Sequence, residues 1–340
     1  MKTWRIASYT GPAGLELCDE PDPAPPRHRQ VVLRVRASSL NFREWLDVRG
    51  VLAKMAPLPQ RRVPGSDAAG EVFAVGESVQ RVRPGDRVAT VFYSDWLQGP
   101  IPATMNIIGR SARENDGTLS HYMVVDEDEL VHLPAHLSFE EAATLPCAAV
   151  TAWTSLFGLG RVAPGDTVLI EGSGGVALFA LQFARMAGAR AIVTTTSPSK
   201  REHLLALGAH AVINATADDW PAAAIAANGG AGVDWAISTA GGRSVDGCIA
   251  ATRPGGAVML VGVRDFGASG QPEMQLGLRG VSAHPTRVGN RDHFEAMNRA
   301  IAVNQLRPVI DRVFEFDDAP KAFEYFASGR HVGKVVIRHG

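Results

Sequence analysis

The stretch from Asp166 to Lys200 constrains the fold of this chain most. A short apolar run, Val168, Leu169 and Ile170, follows a Pro164-Gly165 turn and reads as a strand. Gly172, Gly174 and Ala177 then fill a G-x-G-x-x-G/A pattern between that strand and a helix. Gly172 allows a tight turn, Gly174 lets a pyrophosphate approach the backbone, and Ala177 lets helix and strand pack closely. Ser173, Gly175 and Val176 complete the turn, and the helix N-terminus offers N–H groups and the positive end of its dipole to an anion. Tight turns use glycine for other reasons too, so the context carries the argument. From Val176 to Ala187 only Gln182 and Arg185 are polar, the pattern of a helix buried against a sheet, and Gly188 ends it. We read the stretch as a dinucleotide site on a parallel α/β sheet.

The next strand bears on which dinucleotide. A site for NAD usually places an acid about 20 residues past the first glycine, on the ribose hydroxyl. Here Val193 to Arg201 contains no acid. It offers the hydroxyls of Thr195, Ser197 and Ser199 and the cations Lys200 and Arg201, which suit a 2′-phosphate. We therefore expect NADP(H). A plainer account has Ser199 capping the following helix and Lys200 and Arg201 solvated in its first turn; it leaves the missing acid unexplained.

Composition narrows the partners. With 340 residues the chain has room for two domains, and a formal net charge of −1 argues against nucleic acid or an anionic membrane as the main partner. No apolar run approaches the ~20 residues of a membrane span. The N-terminus runs straight into strand-like sequence, without a signal-peptide pattern. Three scattered cysteines, Cys18, Cys147 and Cys248, exclude a disulfide framework and a Cys-x-x-Cys zinc site. A cytoplasmic enzyme acting on a small molecule is the expectation.

Before Asp166, short strands alternate with Gly/Pro turns and little helix, as in a small β-barrel. Gln30–Ala37 alternates as a strand, and Asn41–Leu46 reads as a helical turn. Between Phe92 and Ser120 periodicity is lost; long loops of this kind usually serve a site. Ser138 and Glu141 form a capping-box signature, and a longer helix is expected around Ala148–Leu159. Beyond Lys200, strands at Ala211–Asn214, Val233–Ser238, Ala257–Gly262 and Arg279–His284 alternate with helices, a doubly wound parallel sheet. Helices follow at His293–Val303 and Ala319–Ser328, then a strand at Gly333–Arg338.

These residues carry a resemblance. The order of barrel, fingerprint, half-sheet and terminal Gly333-Lys334-Val-Val-Ile is similar to the medium-chain dehydrogenase/reductase superfamily over essentially the whole chain. Ser39–Glu44, Pro64–Gly70, Val82–Val88, Ala142–Pro146 with Thr151–Trp153, and the Gly172 loop resemble its zinc-independent quinone oxidoreductase branch. The resemblance implies an α/β fold: a GroES-like β-barrel catalytic domain at 1–130, a doubly wound parallel-sheet Rossmann domain at 131–285, and a return segment at 286–340. It also implies a homodimer joined at the sixth strand.

Zinc alcohol dehydrogenases similar to this chain carry cysteine where Asn41 stands and His-Glu where Ser66-Asp67 stands, with a third ligand near Cys147. Asn41 and Ser66 do not supply the Cys, His or carboxylate ligands of such a site. The structural zinc lobe needs four close cysteines, and the 92–117 loop has none. We expect no metal. Hydride from NADPH then suits an acceptor that is already electrophilic, a quinone or an α,β-unsaturated carbonyl, whose developing oxygen charge needs donors in a dry pocket. Asn41 is the first catalytic candidate, at the floor of the cleft by resemblance, and Arg43 the second. Tyr93, Trp96 and Cys147 are expected around the substrate. The resemblance assigns coenzyme contacts to Asn41, Thr151, Asn214 and the backbone of Ser238, Thr239, Ala240, Val261, Gly262 and Val263, and has Lys334 reach the coenzyme phosphates. Ala215 stands where many quinone reductases carry tyrosine. Other readings are an NADP-dependent alcohol dehydrogenase, an enoyl-thioester reductase with Arg110 and Arg113 at a basic entrance, and a non-catalytic NADPH-binding protein.

Overall fold

A computed structural model describes every residue except Pro57, Gln60, 112–115, Asp218 and 263–271, with the side chains of Pro272 and Glu273 also outside the description. Two compact units emerge: Met1–Val150 with Gly289–Gly340, and Thr151–Val288.

In the first unit β1 (Lys2–Ile6) pairs antiparallel with β2 (Leu15–Asp19). The long β3 (Gln30–Leu40) is followed by the short helices α1 (Phe42–Val48) and α2 (Val51–Met55), then β4 (Asp67–Val75), β5 (Arg87–Thr90), β6 (Tyr122–Asp126) and β7 (Leu130–His132). β3 organises this unit because both of its faces find cover: Val31, Leu33 and Val35 pack with Val72, Val88, Met123 and Leu130. Leu40 joins a second cluster with Val63 and Leu119. α3 (Phe139–Ala142) has the expected capping box: Ser138 Oγ accepts from the Glu141 N–H at 3.1 Å.

The expected helix around 148–159 is a mixture. Residues 145–149 and 154–159 wind as π-turns on either side of α4 (Val150–Trp153). Pro146 lacks an N–H for a regular ladder, and Gly158 and Gly160 loosen its far end.

The second unit is the parallel sheet foreseen from sequence. Its strands are β8 (Thr167–Glu171), β9 (Arg190–Thr195), β10 (Ala211–Asn214), β11 (Val233–Ser238), β12 (Thr252–Leu260) and β13 (Ser282–Pro285). Their spatial order is β10-β9-β8-β11-β12-β13, so chain direction across the sheet reverses between β8 and β11. That switch point is where open α/β sheets bind ligands. The intervening helices are α5 (Gly175–Met186), α6 (Arg201–Ala206), α7 (Trp220–Ala227), α8 (Ser244–Ala251) and α9 (Pro272–Arg279). α5 buries Leu178, Leu181 and Phe183, each worth about 1.5–3 kcal/mol of transfer free energy.

The chain then returns to the first unit through α10 (Arg291–Asn304), β14 (Ile310–Glu315), α11 (Ala319–Ala327) and β15 (Lys334–Arg338). α10 turns Phe294, Met297 and Ile301 inward, a helical stripe, while Arg291 and Glu295 pair with Asp128 (2.8 Å) and Arg81 (2.9 Å). β15 lies antiparallel to β3, with Val336 opposite Ser39. α2 and β14 were not foreseen. Among the described residues no helix is long and apolar enough to cross a membrane.

Candidate functional site

The glycine loop of the second unit has the geometry its sequence asks for. Gly172 sits at φ +86°, a conformation that costs an L side chain about 1–2 kcal/mol. At Gly174, the N-cap of α5, an added Cβ would meet nothing within 4 Å. The backbone is therefore open where a pyrophosphate would lie, and the residues fit a dinucleotide.

The strand after it supplies charge. Lys200 Nζ lies 3.2 Å from Ser173 Oγ, so this cation reaches back to the glycine loop. Thr195 Oγ1 accepts from the Ser197 N–H at 3.1 Å, which shapes the turn leading into a 3-10 segment at Pro198–Lys200. Ser199 caps no helix by its side chain, and Arg201 pairs with Glu202 in solvent. Asn214 is used locally: its Oδ1 accepts from the Thr216 N–H (3.1 Å) and hydroxyl (2.9 Å). Thr151 is buried, and its carbonyl accepts from Ser155 Oγ at 2.8 Å.

The ends of β11 and β12 differ from expectation. The N–H groups of Val261 and Gly262 both donate to the Ser238 carbonyl (3.0 and 2.9 Å). The Ala240 N–H donates to Glu171 Oε2 at 2.9 Å, Ser238 Oγ reaches the same oxygen at 3.2 Å, and Thr239 Oγ1 donates to the Glu171 carbonyl at 2.7 Å. These donors hold two strand ends together rather than standing ready for a coenzyme. The reason is close packing: a Cβ on Gly262 would lie 2.1 Å from the Thr239 carbonyl oxygen. Val263 lies outside the described residues. Glu171, the acid that ties β8 to β11, was missed; a carboxylate ending an otherwise apolar strand was its one signal.

In the first unit Asn41 is the N-cap of α1. Its amide is gripped from both sides. Oδ1 accepts from Lys334 Nζ at 2.6 Å, and Nδ2 donates to Asp67 Oδ2 at 2.8 Å, with Ser66 Oγ at 3.5 Å. The ammonium has no acceptor and the carboxylate no donor, so only one orientation of the amide satisfies both. Asp67 also accepts from Ser39 Oγ at 2.7 Å. Burial pushes the Asp67 carboxyl up, Lys334 opposes that, and Glu44 adds to it. Glu44 accepts from the Asn41 N–H (2.8 Å), Ser66 Oγ (2.7 Å) and Arg43 Nη1 (2.6 Å).

Two of the candidates are engaged inside this unit. Lys334, expected at the coenzyme phosphates, has a side chain 2% exposed and turned onto Asn41, Asp67 and the Leu40 carbonyl. Arg43, the second catalytic candidate, is held by its neighbours. Its guanidinium holds Glu44 and the Arg110 carbonyl and stacks on Phe92, 5.4 Å from the ring centre. Burial works against the Arg43 charge, but Glu44 and Asp47 outweigh it and raise its pKa. Arg110 is buried too, paired with Glu129, which removes it from any entrance; Arg113 lies outside the described residues. Tyr93 and Trp96 are buried in a row of rings from Phe92 to His293.

Residues 27–135 match the alcohol dehydrogenase GroES-like domain, and residues 175–302 match the zinc-binding dehydrogenase family model. A zinc-type alcohol dehydrogenase-like protein of Schizosaccharomyces pombe is 37% identical over 318 residues, covering 91% of this chain and 90% of that protein. The chain belongs to the medium-chain dehydrogenase/reductase superfamily. A solved structure of a putative alcohol dehydrogenase from Sinorhizobium meliloti superimposes with a TM-score of 0.90 at 35% identity, over 99% of this chain and 98% of that one. A 2-methylene-furan-3-one reductase of Solanum lycopersicum is 30% identical, covering 99% of this chain and 79% of that protein. The chain also matches 14% of the length of a Mycobacterium tuberculosis phenolphthiocerol/phthiocerol polyketide synthase subunit, at 31% identity over 93% of this chain.

Members of this superfamily are oxidoreductases that use a nicotinamide coenzyme, and zinc is part of one family model's description. The donor set of this member does not fit zinc. Asn41 and Ser66 are neutral, and among the described residues no three His, Cys, Asp or Glu side chains gather to hold an ion. Burial, then Asp67 and Glu44, push the Cys147 thiol well above its usual range, so it stays protonated and is a poor ligand or nucleophile.

Proposed function

We propose that this member of the superfamily is a zinc-independent, NADPH-dependent oxidoreductase whose hydride acceptor is a quinone or an α,β-unsaturated carbonyl. The observation that carries the reading is Asn41, an uncharged amide locked between Lys334 and Asp67 where zinc-dependent relatives carry a cysteine. One hydrogen of its Nδ2 is held by Asp67; the other meets Ser66 only at 3.5 Å, a contact a substrate oxygen can replace. That N–H stabilises negative charge as it grows on a substrate oxygen, the role of an oxyanion-hole donor. Without a Lewis acid, the acceptor must be electrophilic by its own conjugation. The Solanum relative is named for reducing such a ketone. NADPH, when bound, supplies the hydride; Gly172 to Val176 cradle its pyrophosphate, and Lys200 with Ser173 and Thr195 favours its additional phosphate.

Turnover of a panel of enones and quinones, with NADPH and NADH side by side, tests this. The expected result is enone- or quinone-dependent oxidation of NADPH that a chelator leaves unchanged. Background rates with intact NADPH binding sink the enzymatic reading in favour of a binding protein. Oxidation of saturated alcohols that stops on chelation sinks the zinc-free one. A homodimer formed along the exposed edge of β13 belongs to the same proposal, and light scattering on the eluted protein decides it.

A further inference from the structure

Glu171 is the last residue of β8 and directly precedes Gly172. It therefore stands at the switch point, where the sheet's chain direction reverses between β8 and β11. The side chain is partly buried, and its two oxygens are used unequally. Oε2 accepts from the Ala240 N–H at 2.9 Å and from Ser238 Oγ at 3.2 Å. Oε1 meets no donor among the described residues. An ionised carboxylate has room for about four donors, so this one keeps acceptor capacity on one side. Its place is also fixed: Thr239 Oγ1 donates to the Glu171 carbonyl at 2.7 Å, so backbone and side chain are both tied to the end of β11.

What satisfies Oε1 follows from how a dinucleotide lies on such a sheet. The pyrophosphate takes the glycine loop, and the adenosine half takes the β9 side, where NAD sites hold its ribose with an acid. The other half then runs from the loop toward β11 and β12. Its first group beyond the pyrophosphate is the ribose that carries nicotinamide. A phosphate diester has no proton to give a carboxylate, whereas a ribose has hydroxyl donors. The backbone amides expected at this sugar are already engaged, Ala240 on Glu171 and both Val261 and Gly262 on the Ser238 carbonyl. The strand ends leave an acceptor open instead.

We propose that Glu171 Oε1 accepts a hydrogen bond from a hydroxyl of the nicotinamide-side ribose, so that the acid joining β8 to β11 is also a coenzyme-binding residue. The proposal rests on the nicotinamide coenzyme of the reading above, and on neither its phosphate preference nor its hydride acceptor. A hydrogen bond to an ionised oxygen is about twice as strong as a neutral one. This oxygen is positioned before the ligand arrives, which lowers the cost of ordering it on binding. The neighbouring pyrophosphate repels the carboxylate, so the sugar's contribution has to be measured apart from that of the phosphates.

The experiment is calorimetric titration of the purified full chain with two probes. One is 2′-phosphoadenosine 5′-diphosphate; the other is the same molecule with a ribose on its terminal phosphate. The ratio of their Kd values isolates the sugar, and no hydride moves, so a failed substrate panel and a failed titration remain separate results. In the wild type the ribose should tighten binding about tenfold, as a hydrogen bond to a charged group does. E171Q should lose most of that gain while binding the ribose-free probe at least as well as the wild type. An unchanged ratio in E171Q overturns the proposal. So does an equal loss for both probes, which reports a displaced glycine loop. Should E171Q fail to fold, the wild type is titrated with the probe carrying 2,3-dideoxyribose: about tenfold weaker binding supports the proposal, and binding as tight as with ribose overturns it. The same pair without the 2′-phosphate separates the two readings, because tighter binding of that pair contradicts the NADP assignment and leaves the ribose ratio standing.

Discussion

At the scale of single residues, the two ends of the proposed reaction rest on different side chains and fail differently. Asn41→Ala removes the amide N–H offered to substrate oxygen but leaves Lys334 on Asp67 and the Leu40 carbonyl. Its kcat with an enone should fall about a hundredfold, the usual cost of one oxyanion donor, with coenzyme affinity little changed. Stopped-flow single turnovers with NADPH separate the two; an unchanged kcat removes Asn41 from the chemistry. Lys200→Ala acts at the other end. The partly buried ammonium lies 3.2 Å from Ser173 Oγ, close enough to pair with a phosphate and poorly placed to help a bare ribose. The Kd for NADPH should weaken about tenfold, about 1.4 kcal/mol, and that for NADH should stay put. Equal losses for both coenzymes contradict the NADP assignment.

At the scale of elements, the glycine loop separates backbone strain from ligand room. Gly172→Ala forces a side chain into φ +86° with its Cβ 3.3 Å from Thr239 Oγ1, so it should destabilise the free protein by about 1–2 kcal/mol. Gly174→Ala keeps an ordinary φ of −82° and meets nothing within 4 Å, so stability should hold while coenzyme binding drops. Denaturant melts beside fluorescence titrations with NADPH check both; equal stability losses would mean that Gly174 serves the fold alone. This loop was readable in sequence because strand, turn and helix are set by neighbours a few residues apart. The same holds for the Ser138 capping box and for β8 to β13, each a short apolar run between turn residues. Lys334 was not readable. Its position in β15 was plain, but where a four-carbon side chain ends depends on β3 and β4, nearly 300 residues away in sequence. The Val261 and Gly262 amides misled for a similar reason. Their neighbour is Ser238, brought alongside only by the pairing of β11 with β12. The π-turns around α4 and the edge strand β14 lacked any local signature strong enough to predict.

At the scale of the whole molecule, the first unit carries a pH dependence written into its core. His339 follows β15 and is buried against Phe316, 4.7 Å between ring centres. Its Nδ1 faces the Ser120 carbonyl at 3.2 Å and is therefore the protonated nitrogen, while Nε2 has no partner among the described residues. A proton added at Nε2 would be a buried charge facing no acceptor. Burial, with His121 nearby, accordingly pulls the pKa down to about 3. His121 and His293 shift the same way, burial first in each. An unfolded chain takes up the His339 proton near pH 6.5. Between about pH 6.5 and pH 3 the unfolded state then binds more protons than the folded one, so stability rises with pH. The contribution is whole above pH 6.5 and is lost progressively as pH falls toward 3, at up to about 1.4 kcal/mol per pH unit. Carboxylates titrate over part of the same range, so the wild-type slope alone assigns nothing. His339→Phe keeps the packing and removes the titration, and its slope between pH 6.5 and 4.5 should be visibly flatter. Hydrogen exchange of β3 and β15 peptides, corrected for intrinsic rates, reads this in the unit concerned. Parallel slopes for the variant and the wild type would mean that His339 is not the group that acid attacks.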